Sequence, residues 1–219
     1  MKEVAMSFLD RFDTEWGPRL GVRQHSMRKV FEYLEAKRPE GHLIIETGCA
    51  RTKDNWAGDG QSTYLFDQFA EHCNGQVFSV DISPQACEYA RSVAGARTSV
   101  FAEDSVAFLK RLGDQLVAAK KPIDLLYLDS FDLDFFNTVP SSAHHLKELC
   151  AISPALSAGT LVVVDDSYRL VRCVLSNNGG VTMIGDQGID GKAKLVAQYF
   201  QNIGNPIYFE GYQCGWIVQ

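Results

Sequence analysis

Three aspartates carry the strongest chemical signal in this sequence. Asp129 follows the apolar run Pro122 to Leu128, and Asp165 and Asp166 follow Thr160 to Val164. Apolar runs of this length read as buried strands, and in a parallel sheet their final residues emerge together at the C-terminal edge, where ligands bind. Carboxylates gathered there repel one another unless a cation neutralises them or some keep their protons. Hard oxygen donors favour a magnesium-like ion, which retains waters and accepts substrate oxygens. An ion so placed lowers the pKa of a bound hydroxyl and orients it. The alternative is structural: Asp166 caps the segment after it, and Asp129 accepts from backbone N–H groups.

A second group of residues belongs to the same edge. Leu43-Ile44-Ile45 ends on Glu46, with Gly48 close behind. A polar loop then leads to Gly58-Asp59-Gly60-Gln61-Ser62-Thr63, where helical periodicity begins with Tyr64, Leu65, Phe66 and Phe69. Strand, acid, glycine-lined loop and helix start is how an α/β sheet builds a nucleotide site, because glycine admits close backbone approach and the helix start offers free N–H groups. The next strand, Gln76 to Val80, ends on Asp81, 21 residues after Gly60, where an acid accepts from ribose hydroxyls; Asp81 serves equally as a helix cap. A third strand, Thr98 to Ala102, leads into Glu103-Asp104-Ser105, where Asp104 is an N-cap, an acceptor for an adenine amino group, or both.

Alternation of strands and helices predicts an α/β fold with a doubly wound, mainly parallel sheet. Residues 1 to 42 read as helices that cap the cleft or cover a sheet edge, and 43 to 166 as the cofactor-binding core. Residues 167 to 191, rich in glycine and asparagine, read as an irregular loop acting as a lid. Residues 192 to 219 read as a helix and a closing antiparallel hairpin, Pro206 to Phe209 with Cys214 to Val218. We expect one domain of 219 residues.

Composition narrows the class. A chain with 46% hydrophobic and 22% charged residues matches a soluble globular enzyme. A net charge of −6 argues against a nucleic-acid or anionic-membrane partner. Six scattered cysteines form no CxxC or Cys/His zinc spacing, so they read as buried free thiols. No run approaches the roughly 18 apolar residues of a membrane span, and the N-terminus lacks an export signal. The expected location is cytoplasmic. Trp216, Phe209 and Tyr208 either pack the sheet or form a homo-oligomer contact.

The motifs ETG…GDGQST, VFSVDIS, AEDS, IDLLYLDS and GTLVVVDD, spanning residues 43 to 166, resemble in order and place those of class I S-adenosylmethionine-dependent methyltransferases, with their Rossmann-like fold. The spacing of Asp129 from Asp165-Asp166 resembles the metal-dependent O-methyltransferases, and the Asp-Asp pair is similar to the macrocin and novobiocin sugar enzymes more than to the Asp-Asn pair of the catechol enzymes. The resemblance implies magnesium held by Asp129, Asp165 and Asp166 and binding two neighbouring oxygens of a small-molecule diol or catechol. It implies Glu46, Gly48, Ser62 and Thr63 at the methionine end of S-adenosylmethionine, Asp81 at the ribose, and Asp104 and Ser105 at the adenine. Gly60 and Ile82 complete the expected cofactor set.

Two departures stand out. The loop from Gly48 to Gly60 is longer than the compact glycine turn of catechol-type enzymes. The position of their lysine base, three residues after the first metal aspartate, is Asp132 here. The proton would then have to pass to Asp129 itself or to another acid or histidine such as His144 or His145, each of which otherwise reads as an ordinary helix-surface residue. Three rivals remain: a metal-independent methyltransferase, a nicotinamide oxidoreductase weakened by the missing third fingerprint glycine, and a non-catalytic cofactor-binding module.

Overall fold

The computed structural model describes residues 6 to 219; the helical expectation for residues 1 to 5 lies outside the described residues. Five strands run parallel: β1 (Leu43–Thr47), β2 (Gln76–Asp81), β3 (Thr98–Ala102), β4 (Leu125–Leu128) and β5 (Leu161–Val164). Two further strands, β6 (Ser167–Leu175) and β7 (Val181–Gly191), form a separate antiparallel hairpin. The main sheet is completed by β8 (Ile207–Phe209) and β9 (Cys214–Ile217), in the order β3-β2-β1-β4-β5-β9-β8, with β9 antiparallel to β5. This is the expected Rossmann-like, mainly parallel sheet with an antiparallel end.

Side chains along each central strand alternate between two cores, as a pleated strand covered on both faces requires. Ile44, Val77, Leu125, Tyr127, Leu161 and Val163 face the helices α1 (Phe8–Arg11), α2 (Gln24–Lys37) and, beyond the short α3 (Trp56–Asp59), α4 (Ser62–His72). Leu43, Ile45, Leu126, Leu128, Val162 and Val164 face the opposite layer. That layer is built, beyond α5 (Pro84–Val93), from α6 (Ser105–Ala119), α7 (Val139–Ile152) and α8 (Lys194–Asn202). The N-terminal helices thus cover a sheet face, with Phe8, Phe12, Trp16 and Phe31 buried in the first core. Between α1 and α2 the chain passes through a π-helical turn, Phe12–Trp16, and two 3₁₀ turns.

The stretch 167 to 191, expected to be an irregular loop, is instead the β6–β7 hairpin. Its register shifts between Arg169 and Val171 and again between Arg172 and Cys173. Such irregularities erase the clean alternation by which a strand is recognised. Trp216 and Phe209 are buried, and Trp216 stacks on Phe200 at 5.2 Å, so both pack the sheet. Among the described residues no helix is long and apolar enough to cross a membrane.

Candidate active site

The C-terminal edge of the sheet opens into a cavity of about 760 Å³. Gly48 makes it possible for β1 to leave the sheet there. Its φ is +78°, and a Cβ would lie 2.3 Å from the backbone oxygen of Asp129, so no other residue fits. Of the expected cofactor set, Gly48, Ser62, Asp81, Ile82, Asp104 and Ser105 line this cavity.

Glu46, Gly60 and Thr63 do not. Glu46 is fully buried and accepts from Ser62 Oγ at 2.5 Å, Thr63 Oγ1 at 2.7 Å and Ser79 Oγ. Burial pushes its carboxyl up to about 7, against the three hydroxyl donors. Thr63 Oγ1 in turn accepts from the backbone N–H of Ala50 at 2.9 Å, and a Cβ on Gly60 would come 3.1 Å from Arg23 Cδ. Glu46 and Thr63 thus belong to a hydrogen-bonded cluster behind the cavity wall, and buried polar groups of this kind are paired within the protein.

Asp81 is not the cap of the following helix. Ser83 caps α5, its Oγ accepting from Ala86 N. Asp81 accepts from Ser83 N at 2.7 Å and from Cys49 N at 3.2 Å, which ties the β1 and β2 exits together beside the cavity. Asp104 does cap α6, accepting from Ala107 N at 2.9 Å, and it lines the cavity as well. Arg51, which belongs to no motif, closes the loop through Asp59 at 3.2 Å and Asp132 at 2.8 Å. His144 lines the far wall, its Nε2 3.0 Å from Ser105 Oγ and 3.4 Å from the buried Glu148, while Phe131 packs against its ring at 5.4 Å. His145 is fully buried, and burial pulls its imidazole down to about 4.

The three aspartates are brought together, with two partners from distant parts of the chain. Arg23, in the turn before α2, reaches Asp165 Oδ2 at 2.8 Å and Asp166 Oδ1 at 3.1 Å. Lys192, just past β7, reaches Asp129 Oδ1 at 2.6 Å and Asp166 Oδ2 at 2.9 Å. Tyr212 donates to Asp166 at 2.6 Å and Tyr127 donates to Asp165 at 2.8 Å. Burial drives the Asp129 carboxyl well above its usual range, opposed by Lys192 and reinforced by Asp165 and Asp166. Burial also pushes Asp166 upward, but Lys192, Tyr212 and Arg23 outweigh it and hold its carboxyl below the usual range. Burial works against the Lys192 ammonium, yet the three carboxylates keep it firmly protonated.

This arrangement does not fit the expected magnesium ion. Among the described residues no group of three or more His, Cys, Asp or Glu side chains is arranged to hold a metal. An ammonium stands between Asp129 and Asp166 instead. Neither Arg23 nor Lys192 was legible in advance, since each lies in a segment without a motif and meets the aspartates only through the fold.

A family model described as a methyltransferase domain matches residues 57–167. The chain belongs to this methyltransferase family, whose implied cofactor is S-adenosylmethionine. The acid-lined cavity fits that cofactor, which carries a sulfonium and an ammonium. No curated protein matches the sequence. Similar solved structures include the apo form of a TDP-rhamnose 3'-O-methyltransferase of calicheamicin biosynthesis, at 14% identity, 99% coverage of this chain, 88% of that chain and a TM-score of 0.47. An S-adenosylmethionine-dependent methyltransferase from Clostridium acetobutylicum matches at 12% identity, covering 93% of this chain and 90% of its own, with a TM-score of 0.43. A methyltransferase homologue from Pyrococcus horikoshii matches at 12% identity over 74% of this chain and 64% of its own, with a TM-score of 0.39.

Proposed function

We propose that this protein transfers the methyl group of S-adenosylmethionine to a hydroxyl oxygen of a small molecule bearing adjacent hydroxyls, a sugar diol or a catechol. The supporting observation is that one cavity is bordered by Asp81, Asp104 and Ser105 and also by Asp129. The first three suit the ribose and adenine, and Asp129 suits the methyl-accepting oxygen. The cofactor supplies an already activated methyl, so the chain's own task is alignment and removal of a proton.

Asp129 is the best-placed proton acceptor. Its backbone is pinned where Gly48 passes, and Lys192 fixes one oxygen of its carboxylate. Asp132 is 81% exposed and paired with Arg51, and His144 Nε2 is engaged by Ser105 and Glu148. Magnesium assistance, the expectation from the aspartate triad, would require Lys192 to withdraw. Cys49, Cys73, Cys87 and Cys214 are buried as expected, but Cys150 and Cys173 are exposed; free thiols suit a reducing compartment such as the cytoplasm.

Calorimetric titration of S-adenosylmethionine, followed by methyl transfer across a diol and catechol panel, tests this reading. Asp81→Ala should weaken cofactor binding by about 10- to 100-fold, the worth of a strong hydrogen-bond pair. Asp129→Asn should bind cofactor normally yet lose methyl transfer by about 10²- to 10⁴-fold, as expected for a general base. Absence of cofactor binding, or full activity in Asp129→Asn, would overturn it.

A further inference from the structure

The methyltransferase reading leaves unexplained a lysine that is 1% exposed and buried among three acids. The backbone is shaped to deliver it. Gly191, at φ +77°, would place any Cβ 2.4 Å from the backbone oxygen of Asp166, so only glycine lets the end of β7 run this close. Lys192 N then donates to that same Asp166 oxygen at 3.2 Å. Asp166 itself sits at φ +43°, a left-handed conformation that disfavours a side chain. Its carboxylate is held there by Arg23, Lys192 and Tyr212. Lys192 Nζ thereby bridges Asp129 and Asp166 and also lies 3.4 Å from the Asp129 backbone oxygen.

A bridging position between two carboxylates is where a divalent cation would otherwise have to sit. We propose that Lys192 is a built-in counter-ion occupying that position, so that the acids Asp129 and Asp166 are positioned for methyl transfer without a metal. With Arg23 on Asp165 and Asp166 and Lys192 on Asp129 and Asp166, two fixed cations answer the three acidic side chains. A metal could enter only by expelling the Lys192 ammonium, whose hydrogen-bond acceptors are the Asp129 and Asp166 oxygens it would lose. An uncompensated buried ammonium is costly. An aqueous divalent ion also prefers a cluster of oxygen ligands around it, which a resident ammonium denies.

This inference rests on the transferase reading for its catalytic meaning, but its test does not. Manganese, used as the probe ion, is titrated into the full chain and the free ion is followed by electron paramagnetic resonance. S-adenosylmethionine binding is measured on the same samples and reports separately on the transferase reading. The wild type should show no stoichiometric manganese site. Lys192→Met should gain one site per chain, and Lys192→Met combined with Asp166→Asn should lose it again. A stoichiometric site in the wild type that disappears in Asp166→Asn would overturn the proposal, as would a folded Lys192→Met that gains none. If Lys192→Met does not fold, the comparison of wild type with Asp166→Asn decides.

Discussion

At the scale of single residues, Glu46 and His145 set opposing pH dependences on stability. Burial raises the Glu46 carboxyl from 4.5 to about 7, so between those values the folded chain binds more protons than the unfolded one. Stability from this residue therefore falls as pH rises through that window. His145 is lowered from 6.5 to about 4, so the folded chain binds fewer protons there, and its contribution rises with pH. The two slopes oppose each other over their shared range. Glu46→Gln removes one of them. Relative to wild type, that variant should gain up to about 3 kcal/mol as pH rises from about 4.5 to about 7, read by urea denaturation at a series of pH values. Equal pH profiles would show that Glu46 is ionised in its hydroxyl cage. The sequence placed Glu46 at the end of its strand. What it does not contain is that Ser62, Thr63 and Ser79 converge on it from two other elements.

Among the elements, the β6–β7 hairpin is the least expected and the least embedded. Two-stranded ribbons are marginal alone, and this one exposes Leu175, Val181, Met183 and Ile184. Its base is fastened to the loop after β4, where Thr138 donates to Asp190 at 2.7 Å and Phe135 stacks on Tyr168 at 6.0 Å. Ser167 and Gly191 are paired neighbours, so the ribbon is attached through adjacent strand ends. Replacing residues 170 to 187 by a short glycine turn should leave thermal stability and S-adenosylmethionine affinity nearly unchanged. If the hairpin covers the substrate, KM for the acceptor should rise while cofactor affinity holds. A large loss of cofactor affinity would mean that the ribbon supports the core. The five parallel strands were legible because each is a short apolar run ending at an acid or a turn. The hairpin was not, because glycines and two register shifts hide its period.

Across the whole molecule, Arg23 joins regions that the sequence keeps far apart. It comes from the N-terminal layer, ion-pairs with Asp165 and Asp166 after β5, and donates to the carbonyls of Ala57 and Gly58 in the long loop. Arg23 is 4% exposed, and burial alone would favour the neutral form of its guanidinium; the Asp165 carboxylate overrides this and keeps it charged. Only a planar fork of donors serves all these acceptors at once. Removing one partner of a buried pair costs about 3–5 kcal/mol, because the other charge is left unanswered. For a chain of this size that corresponds to a fall in Tm of roughly 6–20 °C. Arg23→Met should show it in thermal denaturation. Because the loop carbonyls lose their anchor beside Gly60, cofactor affinity should weaken as well. Arg23→Lys keeps a charge but not the fork, so it should restore part of the Tm and little of the affinity. Full recovery of both by lysine would mean that charge alone, and not the fixed geometry of the fork, holds the N-terminal layer, the loop and the sheet edge in one site.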